Sequence, residues 1–181
     1  MKKILSLLLV VLLVLSFSTV AFAEESASIT GKVNVSFTFD NDGKVYLKQG
    51  DSAVKVVNIA ADGSYLLSGI PAGDYDLVVS IPGWTEFKVS DINVASGDEI
   101  EIYYNTVIAG DVNNSGVIDI NDVAETVNEL GNSLTTENIG TDVDHNKSVN
   151  IADISVVLAA ENYGQEAFSI SYMNNGWSNT Y

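Results

Sequence analysis

The stretches DVNNSGVIDINDVAETVNEL, Asp111 to Leu130, and DVDHNKSVNIADISVVLAAE, Asp142 to Glu161, place oxygen-bearing side chains at matching offsets 31 residues apart. Each then passes into an apolar pattern with helical spacing: Val123, Val127 and Leu130 in the first, Ile154, Val157 and Leu158 in the second. Asp, Asn and Gly also make ordinary surface turns, so one copy would say little. Two copies that agree at six loop positions and lead into the same pattern describe one device built twice.

The offsets suit a hard cation. Calcium takes six to eight oxygen ligands, which the EF-hand loop supplies from positions 1, 3, 5, 7, 9 and 12 around a glycine at 6. The first repeat offers Asp111, Asn113, Ser115, the Val117 carbonyl, Asp119 directly or through water, and Asp122, with Gly116 at the turn. The second offers Asp142, Asp144, Asn146, the Ser148 carbonyl, Asn150 and Asp153. Two calcium ions are therefore expected, their binding coupled to folding because each loop crowds three carboxylates. Lys147 replaces the turn glycine in the second loop; an L-residue in left-handed backbone costs about 1–2 kcal/mol, so this site is the weaker candidate. Ile118 and Val149, at position 8, are expected to pack inward and hold the loops together. Both loops end in Asp, and no amphipathic helix precedes the first, so the unit is loop then helix, twice. Gly131 and Gly164 are the expected helix stops. Two such helices can cover each other antiparallel, leaving apolar residues over as contact surface.

Upstream, ITGKVNVSF, KVYLKQ, AVKVVNI, SYLLSGI, DYDLVVSI, EFKVSDINV and EIEIYYN are short runs rich in Val, Ile, Tyr and Phe. NDG, ADG, IPAG, IPG and SGD punctuate them. Such spacing leaves no room for crossover helices and predicts a small antiparallel β-sandwich, with Tyr75, Leu77 and Val79 on its covered side. The fold class is thus a mainly β domain, residues 24–108, followed by a small α domain of two calcium loop–helix repeats, 109–164. The connection from Thr106 to Gly110 is short, so the two parts are expected to touch and stay fixed. Residues 165–181 form a tail whose Phe168, Ile170, Tyr172, Trp177 and Tyr181 are too apolar for solvent. A strand packing back on the β domain accounts for them; a disordered sticky end is the plainer alternative.

Residues 1–23 read as a secretory signal peptide: Met1-Lys2-Lys3, an apolar run from Ile4 to Val20, then Ala21-x-Ala23. A single membrane anchor is the alternative, but the run is marginal for spanning. Cleavage after Ala23 leaves 24 acidic residues against six lysines and no arginine, a formal charge of −18. A phosphate backbone is a poor partner for that surface, so nucleic acid is not expected. Calcium, carbohydrate or a complementary protein is. The mature protein is expected to be secreted, off the membrane, and without disulfides, since cysteine is absent.

The repeated loops, carried by Asp111, Asn113, Ser115, Gly116, Ile118, Asp119 and Asp122 with Asp142, Asp144, Asn146, Val149, Asn150 and Asp153, resemble a dockerin, the calcium-dependent plug that inserts into cohesin modules of clostridial cellulosomes. The strand domain resembles an X module, also called a carboxypeptidase-regulatory-like domain, best in ADGSYLLSGIPAGDYDLVV, Ala61 to Val79. Their order is similar to the X–dockerin tandem of type II scaffoldin termini, over about Ser28 to Gly164. The resemblance implies a cohesin partner, on a scaffoldin or cell-surface anchoring protein, recognised by loop positions 10 and 11 and the outer helix face. Those positions are Ile120 and Asn121, then Ile151 and Ala152, with Thr126, Val127, Val157 and Leu158 along the helices. Type I recognition pairs are polar and Ser–Thr-like; the two isoleucines are similar to type II. The alternative is that both isoleucines merely pack at helix starts.

No catalytic constellation is present. His145, the sole histidine, lies between loop ligands and is expected to face solvent, and neither G-x-S-x-G nor H-E-x-x-H occurs. A non-catalytic adaptor in polysaccharide-degrading assemblies is the expected function. The alternative is a carbohydrate-binding protein, mounted by its dockerin, using Trp84, Tyr103 or Tyr104 to stack on sugar rings, although a lone tryptophan after a turn is more often a core plug.

Overall fold

The computed structural model describes residues 26–34, 42–103 and 106–172. Its strands are β1 (Ala27–Lys32), β2 (Lys44–Gln49), β3 (Ser52–Asn58), β4 (Ser64–Ile70), β5 (Gly73–Ser80), β6 (Phe87–Val94) and β7 (Glu99–Ile102). Two short helices follow, α1 (Ile120–Asn128) and α2 (Ile151–Val157), with one 3-10 turn, Ile139–Thr141, between them. A last strand, β8 (Phe168–Ser171), comes from the apolar tail. The expected signal peptide lies outside the described residues, as do Tyr104, Trp177 and Tyr181; among the described residues no helix is long and apolar enough to cross a membrane.

The strands make two sheets, β4-β1-β7 and β3-β2-β5-β6-β8. Period-two alternation sets their inner faces. Tyr75, Leu77 and Val79 of β5 turn inward with Val45 and Leu47 of β2 and Val89 and Ile92 of β6, facing Ala27 and Ile29 of β1 and Leu67 of β4. Val78, which alternates with them on the other face, is nonetheless buried, in register between Tyr46 and Lys88.

One expectation needs correcting. The sandwich is not wholly antiparallel: β7 joins β1, and β8 joins β6, in parallel. Parallel neighbours require a long connection, and here β7 and both loop–helix units lie between β6 and β8. The tail thus returns to the sheet after the helices, with Phe168 stacked on Phe87 at 5.9 Å.

A single apolar core runs from the sandwich into the loop–helix part, taking in Val107, Ala109, Val112, Ile118, Val143 and Val157. The joint is made at Gly83-Trp84-Thr85. The Gly110 amide donates to the Gly83 carbonyl at 2.8 Å, and Thr85 exchanges bonds with Ile108 through its amide and hydroxyl. The Trp84 ring is buried, and its indole N–H donates to the Val143 carbonyl at 3.0 Å. Gly83 sits at φ +76°, where a Cβ would lie 2.1 Å from the Gly140 carbonyl oxygen. Two backbones meet there at a distance only glycine permits.

Gly83→Ala is therefore expected to cost at least about 2 kcal/mol, from left-handed strain plus forced separation of the backbones. Chemical denaturation measures it; a loss within a few tenths of a kcal/mol would mean that the contact does not hold the two parts together.

Candidate metal centre and interaction face

The two loops fold alike because the same hydrogen bonds recur 31 residues on. In the first, the Ser115 and Gly116 amides donate to the two Asp111 carboxylate oxygens, both at 2.9 Å. In the second, the Asn146 and Lys147 amides donate to Asp142 at 3.1 and 2.8 Å. Ser115 N–H also reaches the Asn113 side-chain oxygen, and Asn146 N–H reaches Asp144, so positions 1 and 3 lean on one shared donor. Asp122 accepts from Asn113 and Asp119, as Asp153 does from Asp144 and Asn150. Backbone amides thus hold both carboxylate oxygens of Asp111, Asp122, Asp142 and Asp153 in a concave loop.

Positions 9 and 12 do a second job that spacing alone did not suggest. Asp119 and Asn150 are the N-caps of α1 and α2, and Asp122 and Asp153 complete capping boxes with them. The caps satisfy amides that short helices would otherwise leave open. The signal was legible as D-x-x-D and N-x-x-D. Lys147 adopts φ +75°, matching Gly116 at +83°; Asn114 and His145, both at position 4, are left-handed too, at +54° and +56°. His145 does not face solvent as expected: it is buried, edge-on to Trp84 at 6.0 Å between centroids.

The donor set fits a hard divalent cation. One carboxylate oxygen from each of Asp142, Asp144 and Asp153 lies within 4.8 Å of the others. Oxygens shared by a calcium ion at about 2.3–2.6 Å can be no farther apart than roughly 5 Å. Among the described residues this is the one convergent set of three such groups. The first loop brings together Asp111, Asn113 and Asp122, while its third carboxylate, Asp119, accepts both the amide and the side-chain N–H of Asn121. The position-7 carbonyls are already oriented, Val117 accepting from the Ser115 hydroxyl at 3.0 Å and Ser148 from the Asn150 amide group at 2.9 Å.

Position 8 packs inward in both copies, Ile118 and Val149 being buried. Each is also tied to the exit of the opposite helix. Gly131, after α1, donates to the Val149 carbonyl at 3.0 Å, and Gly164, after α2, donates to the Ile118 carbonyl at 2.8 Å. Beyond Gly164 the chain stays on the first loop, with Ile118 N–H to Gln165 and Ala167 N–H to Gly116.

Of the residues expected to meet a partner, Ile120 is 62% and Ile151 70% exposed, and Val127 and Leu158 are exposed with them. Asn121 is exposed and Ala152 half-buried. Thr126 and Val157 are not surface residues. Both are fully buried, Thr126 bonding the Asp122 carbonyl and Val157 joining the common core, because the inner helix stripe is covered by the rest of the protein. Trp84, being buried, cannot stack on a sugar.

Chains from two crystal structures share this two-sheet fold. Both come from type II cohesin–X–dockerin complexes of Acetivibrio cellulolyticus, one an N-terminal and the other a C-terminal interface mutant. They are 16% and 15% identical to this protein, with TM-scores of 0.53 and 0.55; each match covers 79% of this chain and 97% of the neighbour. No protein-family model matches the sequence, and no curated protein is similar to it.

Burial pushes the Asp111 carboxyl above its ordinary value, with Asp122 and Glu86 adding repulsion against the opposing amide bonds. Burial does the same to Asp153, with Asp144 and Asp142 adding. A carboxyl whose folded pKa is raised binds its proton more tightly in the folded state. Its stabilising contribution is then present below the unfolded value and lost as pH rises through the folded one. In chelator, these two groups should make the protein less stable as pH rises, so the loss of melting temperature with rising pH should be smaller in Asp111→Asn and Asp153→Asn than in the parent. Thermal melts in chelator check this; variants whose pH dependence equals the parent's contradict it.

Proposed function

We propose that the protein is a secreted, non-catalytic adaptor whose loop–helix part is a dockerin holding two calcium ions and docking on a cohesin of the type II kind. Asp111, Asn113, Ser115, Val117, Asp119 and Asp122 would hold one ion, and Asp142, Asp144, Asn146, Ser148, Asn150 and Asp153 the other. The ions' part is to neutralise the crowded carboxylates; the chain's own capping boxes and core then fix the helices. The observation that carries the reading is the matched pair of exposed isoleucines, Ile120 and Ile151, each at the first turn of a capped helix beside its loop. Val127 on α1, with Leu130, Leu158 and Tyr163 just beyond the two helices, adds further exposed apolar groups among the polar Asn121, Glu125, Asn128 and Ser155. The shared fold with chains of cohesin–X–dockerin complexes supports the same reading.

A buried apolar anchor carries a large share of interface energy. Ile120→Asp or Ile151→Asp, whichever is the more central, should weaken cohesin binding by at least about 2 kcal/mol, through lost contact and an unpaired charge. The double variant should nearly abolish binding while both ions stay bound. Pull-down against type I and type II cohesins, with and without chelator, tests this. Preference for type I refutes the specificity, and folded, calcium-loaded protein that binds no cohesin refutes the adaptor role.

A second reading has an observation of its own. On the outer face of β4-β1-β7 an open groove of about 600 Å3 is lined by Thr30, Lys32, Asn58, Leu66, Glu101 and Tyr103. The Tyr103 ring is 69% exposed, and its hydroxyl bonds Glu101. An exposed ring beside hydroxyl, amide and balanced charged groups suits a neutral sugar. Titration with cellohexaose should show saturable binding that Tyr103→Ala removes; heat signals identical in the two proteins would dismiss the groove.

A further inference from the structure

Resting on the calcium reading, we infer that Trp84, a residue of the β-sandwich, is a positioning residue for the second loop, so that calcium affinity there is set in part by the other half of the molecule. Val143 lies between Asp142 and Asp144, at position 2 of the loop. Its carbonyl accepts the Trp84 indole N–H at 3.0 Å in a wholly buried setting. That bond fixes the peptide between the first two carboxylates, and both belong to the set whose oxygens converge within 4.8 Å. The indole also packs edge-on against His145, holding the left-handed residue at position 4. Gly83, next in the chain, touches Gly140 two residues before Asp142. Three consecutive contacts from one turn of the sandwich thus bracket the start of this loop.

The bracket falls where the loop's own sequence is weakest. Lys147 occupies the left-handed position that Gly116 fills in the first copy. A left-handed non-glycine residue raises the free energy of the closed loop, and a support imposed from outside offsets part of that by reducing what the ion must order. The first loop is braced differently, through Gln165 and Ala167. The Gly83-Trp84 turn also meets the first loop through the Gly110–Gly83 backbone bond, but the bond from the indole N–H itself goes to the second loop.

Trp84→Phe keeps a ring in the core and removes the N–H. In two-site calcium titration of the full chain, with the sites distinguished by Asp111→Asn and Asp142→Asn, it should weaken the second site about tenfold and leave the first unchanged. The loss should be smaller when Lys147→Gly is already present, a coupling that a merely destabilised core would not show. Equal loss at both sites, no loss at either, or purely additive effects of the two substitutions overturns the positioning role. Fewer than two ions on the unsubstituted protein fails the calcium reading itself, so the two failures are distinguishable.

Discussion

The indole of Trp84 reaches out of one half of the molecule and donates its proton to a carbonyl of the other, inside a core that belongs to both. Around it, backbone meets backbone at Gly83 and Gly140, and Ile108 and Gly110 of the Thr106–Gly110 connection are bonded to the turn that carries the tryptophan. The loop–helix part needs such a neighbour. Its helices have nine and seven residues, too short to persist alone in water, and much of their apolar surface faces outward. What inner surface they have, Thr126, Ile154 and Val157, is buried in part against a core the sandwich supplies.

Charge is the opposing constraint. Asp111, Asp122, Asp142 and Asp153 are buried carboxylates held by amide donors rather than by lysines, of which the loop–helix part has only Lys147. Amide bonds favour the ionised form but leave the net charge in place. The structure thus concentrates unneutralised carboxylates in two concave loops and supports each from outside, an arrangement suited to a cation and costly otherwise.

Seven strands, two loops and two helix starts were legible in the sequence, because alternation, turn residues and a 31-residue repeat are local signals. The parallel edges were not. Which strand lies beside β1 or β6 depends on contacts between residues far apart, and period-two alternation in β7 or β8 says nothing about direction. The same limit explains Thr126 and Val157. Helical spacing places them on a face, but only the packed structure tells whether that face is covered. His145 was misread for a related reason, since a polar residue in a turn looks solvent-facing until a tryptophan from residue 84 is found lying against it. The tail's apolar residues left a returning strand and a loose end both open, because apolar content alone does not say what covers it; Phe168–Ser171 forms β8.

The reciprocal bonds between position 8 of each loop and the exit of the opposite helix impose an order of assembly. The partner of Val149 is Gly131, already synthesised when the second loop emerges. The partners of Ile118 are Gly164 and Gln165, more than forty residues downstream, and the strand that anchors that segment comes later still. Loop closure over such a span precedes the contacts that reward it. A chain growing from its N-terminus therefore carries the first loop without this brace until the Gly164–Ala167 segment has been made, and the loop that comes first in the sequence is the one braced last.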